Sequence, residues 1–293
     1  MSDCPSLLPL GACTLTIPLM RLHRRQIISS VLSEIGFPRW PLVLTAGSAQ
    51  QLIDIVRGAT PLPPPALSDL CYHETLPSEL RAGAAERVAA ADICLLEIGS
   101  PVEMEYDGYI LNRNRVRVLI YGLADAAGDR KPAAQWLNAL TKDNDALREK
   151  SAAALIALLE GDDFACALVA RTRAHVASEE EIHARLAAIR GFLGGAMGIV
   201  LHNFRYMPDG RPVDWPQGFK AQLKSVADRL GLPAWDPAEL VTRHGVQTAI
   251  VEQSGHYVKE FNATVAVEYR RFVRRLLDGP RLQPDLSLSS ACG

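Results

Sequence analysis

The chain predicts an α/β fold: a three-layer α/β/α sandwich around a parallel sheet of about five strands. Three observations carry that prediction. Short apolar runs at residues 7–10, 40–45, 92–98, 198–201 and 233–236 alternate with longer stretches of helical periodicity. The run Ile93-Cys94-Leu95-Leu96-Glu97-Ile98 is apolar almost throughout, as a central strand covered on both faces requires. Turn-forming residues follow the runs, at Gly11, Gly47, Gly99 and His202-Asn203. At 293 residues, with 48% hydrophobic and 22% charged, the chain can bury a large core. We read residues 1–278 as one domain and 279–293 as a flexible C-terminal tail.

The elements follow in order. Strand one is Leu7-Leu8-Pro9-Leu10, closed by the turn Gly11-Ala12-Cys13. Pro18 suits the first position of a helix, so a helix is expected over 19–35, ended by Gly36-Phe37-Pro38. Strand two is Trp40–Thr45, and Ala46-Gly47-Ser48 turns into a helix over 49–57. Four prolines make 60–66 an irregular loop. A helix is expected over 78–90, then strand three over 92–98, ending in Gly99-Ser100-Pro101. Residues 103–116 form a small excursion with a turn at Asp107-Gly108. Helices are expected over 132–159 and 179–192. Strand four is Gly198–Leu201, a helix covers 218–230, and strand five is Pro233–Asp236. Pro237 opens a short helix, and the last helix runs over 259–277.

Composition narrows the function classes. The net charge of -2 gives no general attraction to nucleic acid or to an anionic membrane. No apolar run has the length of a membrane span, and Met1-Ser2-Asp3-Cys4 lacks the basic start of a signal peptide. The six cysteines are scattered without CxxC spacing, which argues against a zinc site or disulfide framework and fits a reducing cytoplasm. No metal, nucleic acid or membrane partner is expected, and the oligomeric state is open.

In a sheet ordered 2-1-3-4-5 the ends of strands one and three flank the switch point, where ligands bind. Cys13, Gly47, Gly99, Ser100, His202 and Asn203 all stand at strand ends, and Gln253-Ser254-Gly255-His256-Tyr257 precedes the last helix. A cysteine at a helix N-terminus can be a lowered-pKa nucleophile. His256 can move its proton, with a nearby acid, Glu252, orienting the ring. Gly47 and the Cys13 backbone can donate N–H groups to an oxyanion, and His202 or Asn203 can add a side-chain donor. The blander readings are a small core cysteine, turn glycines and a helix-capping histidine.

This layout resembles the SGNH/GDSL hydrolase superfamily, whose fold is flavodoxin-like. Gly11-Ala12-Cys13 matches the family's Gly-x-Ser nucleophile block, with Cys13 at the nucleophile position. Gly47 matches the second block and Gly99-Ser100-Pro101 the third, with Pro101 where the family has Asn. His256 matches the catalytic histidine; Gln253 stands where the family's Asp would be, and Glu252 is the nearest acid. The cysteine turn is similar to the GSCFA and WcbI-like branches, the latter associated with polysaccharide acyl transfer. The resemblance implies an esterase or acyltransferase acting on an O-acyl group, with carbohydrate as the substrate class. The implied site is Cys13, His256 and Glu252, with Gly47, Gly99, Ser100, His202 and Asn203 around the oxyanion or substrate. No resident cofactor is implied, although an acyl donor such as acyl-CoA would fit. A non-catalytic relative that binds a small ligand or glycan at the same strand ends is the alternative. A nucleotide binder is disfavoured by the lack of a phosphate loop.

Overall fold

Leu7, Leu8 and Leu10 are almost wholly buried because their strand lies inside a sheet. The computed structural model describes residues 4–201, 213, 218–251 and 256–279. In chain order the elements begin with β1 (Ser6–Leu10), α1 (Cys13–Arg24), β2 (Ser29–Ser30), α2 (Val31–Glu34), α3 (Ala46–Val56), α4 (Pro65–Tyr72), α5 (Ala84–Ala89) and β3 (Ile93–Glu97). There follow β4 (Val102–Tyr106), β5 (Tyr109–Leu111), α6 (Arg113–Ala126), α7 (Lys131–Ala139), α8 (Asp145–Leu158), α9 (Asp163–Arg171) and β6 (Arg173–Val176). The chain continues through α10 (Glu179–Phe192), β7 (Ala196–Val200), α11 (Phe219–Arg229), β8 (Ala234–Trp235), α12 (Ala238–His244), α13 (Val246–Ala249) and α14 (Phe261–Asp278). By contact these divide into two compact units, one of residues 1–62, 76–101 and 178–293, the other of 63–75 and 102–177.

The first unit carries a five-stranded sheet in the order β2-β1-β3-β7-β8, all parallel. This is the 2-1-3-4-5 order expected from the sequence. Right-handed crossovers place α1 on one face, because the chain moves to β2 on one side of β1. The later crossovers run the other way, so α3, α10 and α11 cover the opposite face, and the architecture is three-layer α/β/α. On the α1 face, α14 packs against α1, β3 and β7. It lies so close that a Cβ on Gly198 of β7 would come 2.8 Å from Leu276 Cδ1 and 2.9 Å from the Phe272 ring.

Several boundaries differ from expectation, each for a local reason. α1 opens at Cys13, five residues before Pro18, which sits inside it. A proline there cannot donate to the Thr14 carbonyl one turn back. That carbonyl instead accepts the Tyr269 hydroxyl of α14 at 3.5 Å. The expected helix over 19–35 stops at Arg24 because Gln26 takes a left-handed conformation at φ 54°. Ile27 N–H then donates to the Leu22 carbonyl at 3.0 Å and Gln26 N–H to the His23 carbonyl at 2.9 Å, a Schellman ending. The edge strand is therefore Ser29–Ser30 and not Trp40–Thr45. The latter contributes only a bridge from Leu42 to Gly11, since Pro38 and Pro41 interrupt any ladder. The helix expected over 78–90 is confined to α5, and a break with Asn144 as cap splits the one over 132–159 into α7 and α8.

The second unit has its own antiparallel sheet, β5-β4-β6, with helices α4 and α6–α9. Asp107 and Gly108 both have positive φ, as the two-residue hairpin between β4 and β5 demands. Trp136, Ile120, Leu155 and Leu168 form its buried centre. Arg115 pairs with Asp69 and ties α6 to α4.

Among the described residues no helix is long and apolar enough to cross a membrane, and no group of three or more His, Cys, Asp or Glu is set to hold a metal ion. The five described cysteines are all free. The tail from residue 280 lies outside the described residues.

Candidate active site

The parallel register of β1 and β3 builds the site. Leu10 stands opposite Leu96, so the next residues along, Gly11 and Glu97, come together at the carboxyl ends of the two central strands. A Cβ on Gly11 would lie 2.8 Å from Glu97 Cβ, 3.0 Å from Glu97 Oε2 and 2.6 Å from Leu15 Cδ2. Only glycine lets the carboxyl approach this closely. Ala12 is the N-cap of α1 and has no side chain able to cap it. Glu97 does so from the neighbouring strand. Its Oε2 accepts the Ala12 N–H at 2.8 Å, its Oε1 accepts the Thr14 hydroxyl at 2.5 Å, and the Leu15 N–H also reaches it.

Glu97 is 1% exposed. Burial pushes its carboxyl up to about 7, against the pull of those three hydrogen bonds. Cys13, half-buried, is the first residue of α1. Sequence reasoning expected the helix N-terminus to lower its thiol. Here burial pushes the thiol up and the Glu97 charge adds to that; only the cysteine's own backbone N–H pulls the other way. Tyr269, fully buried and pushed well up, faces the same turn from α14. Cys94, on β3, is packed in the core, where burial raises its thiol strongly.

The loop before α3 docks on both strand ends. Val43 N–H donates to the Gly11 carbonyl at 3.2 Å. The Gly99 and Ser100 N–H groups donate to the Leu44 carbonyl at 3.0 and 3.1 Å. Those two N–H groups hold the loop in place in this structure. Gly47 is the second residue of α3, inside a capping box made by Thr45 and Ser48, and so belongs to a helix and not to a turn. The structure thus brings the Cys13, Gly47, Gly99 and Ser100 segments into one neighbourhood.

His256 is exposed: Val251 N–H donates to its carbonyl at 2.7 Å, and Tyr257 bridges to Ile250. Tyr257 is buried beside a groove of about 380 Å³ along α1, lined by Ile17, Met20, Arg21 and Asn262 among others. Arg21 donates to the Lys259 carbonyl at 3.2 Å, fastening this segment to α1. Glu252, His202 and Asn203 lie outside the described residues. A larger cavity of about 770 Å³ opens beyond the carboxyl ends of β7 and β8, with Trp235, Arg243 and the paired Lys220 and Asp236 on its wall.

Sequence reasoning missed Glu97, Thr14 and Tyr269. One signal for Glu97 was present: a lone acid at the end of an otherwise apolar central strand is seldom buried without a specific partner.

The family model for the TviD N-terminal domain matches residues 5–272. No curated protein and no solved structure matches the chain.

Proposed function

Because the chain belongs to the TviD N-terminal domain family, we propose that it acts on O-acyl groups of a carbohydrate, as an acyltransferase or esterase, through Cys13 and His256. That family is related to Vi antigen biosynthesis and is O-acetyltransferase-like, which supports a role in polysaccharide acetylation. The observation that carries the reading is the position of Cys13. It opens α1 at the carboxyl end of β1, at the point where the strand order reverses. The layout shared with SGNH/GDSL hydrolases belongs to the same proposal.

The chemistry is a double displacement. The Cys13 sulfur attacks the acyl carbonyl carbon while His256 takes the thiol proton. The bond from that carbon to the leaving group breaks, the leaving group receives the proton, and a thioester remains on Cys13. A carbohydrate hydroxyl then attacks the thioester, gives its proton to His256, and departs as the ester while the thiol is restored. Water in place of the hydroxyl makes the same sequence an ester hydrolysis. An acyl donor such as acyl-CoA supplies the group. Glu252 orients His256, and Gly47, His202 and Asn203 serve the oxyanion or the substrate. We place the protein in the cytoplasm, in keeping with its free cysteines.

One observation favours a second reading, a protein that binds a glycan or small ligand without reacting: the Cys13 thiol is pushed up. Trapping with an acyl donor separates the two. An acyl group on the Cys13 peptide, with turnover lost in Cys13→Ala, supports catalysis. Full turnover in Cys13→Ala overturns Cys13 as the nucleophile, whereas glycan binding by the wild type with neither an adduct nor turnover moves the protein to the binding reading.

A further inference from the structure

We propose that Glu97 is a positioning residue for Cys13: its carboxyl replaces the missing cap of α1, fixes the turn that carries the sulfur, and couples its own protonation to that of the thiol. The inference rests on Cys13 being the nucleophile. The geometry is specific. A fully buried carboxyl from β3 reaches the Ala12 N–H, on one side of Cys13, and the Thr14 hydroxyl, on the other. The cysteine is therefore bracketed by two hydrogen bonds to one acid. Gly11 makes the approach possible, since any side chain there would collide with Glu97.

The coupling follows from charge and burial. As a carboxylate, Glu97 opposes formation of a thiolate beside it, and burial leaves little water to screen the repulsion. As a carboxylic acid it still offers acceptor oxygen to the turn but removes the repulsion. The titratable groups around it are Cys13 on α1, Cys94 on its own strand, and Tyr269 on α14 with Tyr257 beyond it. Cys94 and Tyr269 hold their protons through the neutral range, because burial pushes both far up. Glu97 changes charge near neutral pH, so it is the group that modulates Cys13 there. Two groups coupled in this way titrate as a pair, not one by one.

The test reads thiol ionisation and needs no substrate. Alkylation of full-length protein by iodoacetamide, followed across pH 5–10 by mass mapping of the Cys13 peptide, reports the thiolate fraction. In the wild type the profile is shallower than a one-proton curve. In Glu97→Gln, which keeps an acceptor oxygen without the charge, it becomes a one-proton curve and moves to lower pH. The Cys13 rate at pH 8 then rises about tenfold if the coupling is of the order of one pH unit. Thr14→Val supplies a second variant should Glu97→Gln not fold. It retains the charge but removes one donor to the carboxylate, so the bend in the profile moves to higher pH. Superimposable one-proton profiles in the wild type and in whichever variant folds overturn the inference. That outcome leaves the acyl-transfer reading standing if Cys13→Ala abolishes turnover. Loss of that reading, by full turnover in Cys13→Ala, leaves the alkylation result unaffected.

Discussion

The buried carboxyl of Glu97 predicts how stability varies with pH. Its ordinary value is 4.5, and in the folded chain it stands at about 7. At 1.36 kcal/mol per pH unit, the folded state disfavours ionisation of this acid by about 3 kcal/mol. Below pH 4.5 the acid is protonated whether the chain is folded or not, and its contribution is complete. As the pH rises from there, the unfolded chain releases the proton while the folded chain keeps it, so stability falls. The loss levels off above pH 7, once the folded chain ionises as well. Glu97→Gln is neutral throughout and lacks this slope. Urea unfolding of both proteins at pH 5, 6, 7 and 8 measures it. The gap between them should shift by about 2 kcal/mol over that range, part of the loss being already taken at pH 5, in favour of the glutamine variant at high pH. A gap that does not change with pH refutes the claim that Glu97 ionises against its burial.

Other perturbations have equally definite outcomes. Gly11→Ala forces a Cβ against Glu97 Cβ and Leu15 Cδ2 and should cost about 2 kcal/mol by overpacking, read as a lower urea midpoint. Gly198→Ala crowds Leu276 and Phe272 in the same way and should cost a similar amount, about 1–3 kcal/mol, while leaving the Cys13 alkylation profile unchanged. Tyr269→Phe leaves the Thr14 carbonyl without the hydroxyl that Pro18 makes necessary and should lower stability by about 1–2 kcal/mol in thermal unfolding. Glu252→Gln should reduce turnover with little change in the thermal midpoint, if Glu252 orients His256; unchanged turnover assigns that task to another acid.

The sheet was legible where the sequence pattern is redundant. Buried strands such as β1, β3 and β7 read as apolar runs, and handed crossovers left few orders for them. The edge was not legible. Ser29–Ser30 has no apolar signature, and it enters the sheet only because Gln26 turns the chain left-handed, which no periodicity announces. The second unit was read as an excursion and a helix, since its strands are short and its third strand, β6, returns some 60 residues after the hairpin. At the site, Cys13 was visible because it follows a strand and a glycine. Glu97 was visible only as the last polar letter of a strand. Its bonds to Ala12 and Thr14 depend on the parallel register, which a single sequence does not print.

The hydroxyl of Tyr269 on the carbonyl of Thr14 joins residues 255 positions apart, and the Glu97 bonds to the same turn span 83 and 85. A nascent chain leaving the ribosome thus displays Cys13 long before it receives the brace from Tyr269. Until α14 has been made and docked, the proline-broken turn lacks that brace and the α1 face of β3 and β7 lacks its cover. The order of synthesis delays completion of the thiol's surroundings until α14 has been made. A product cut short before α14 would carry the cysteine without the setting that restrains it.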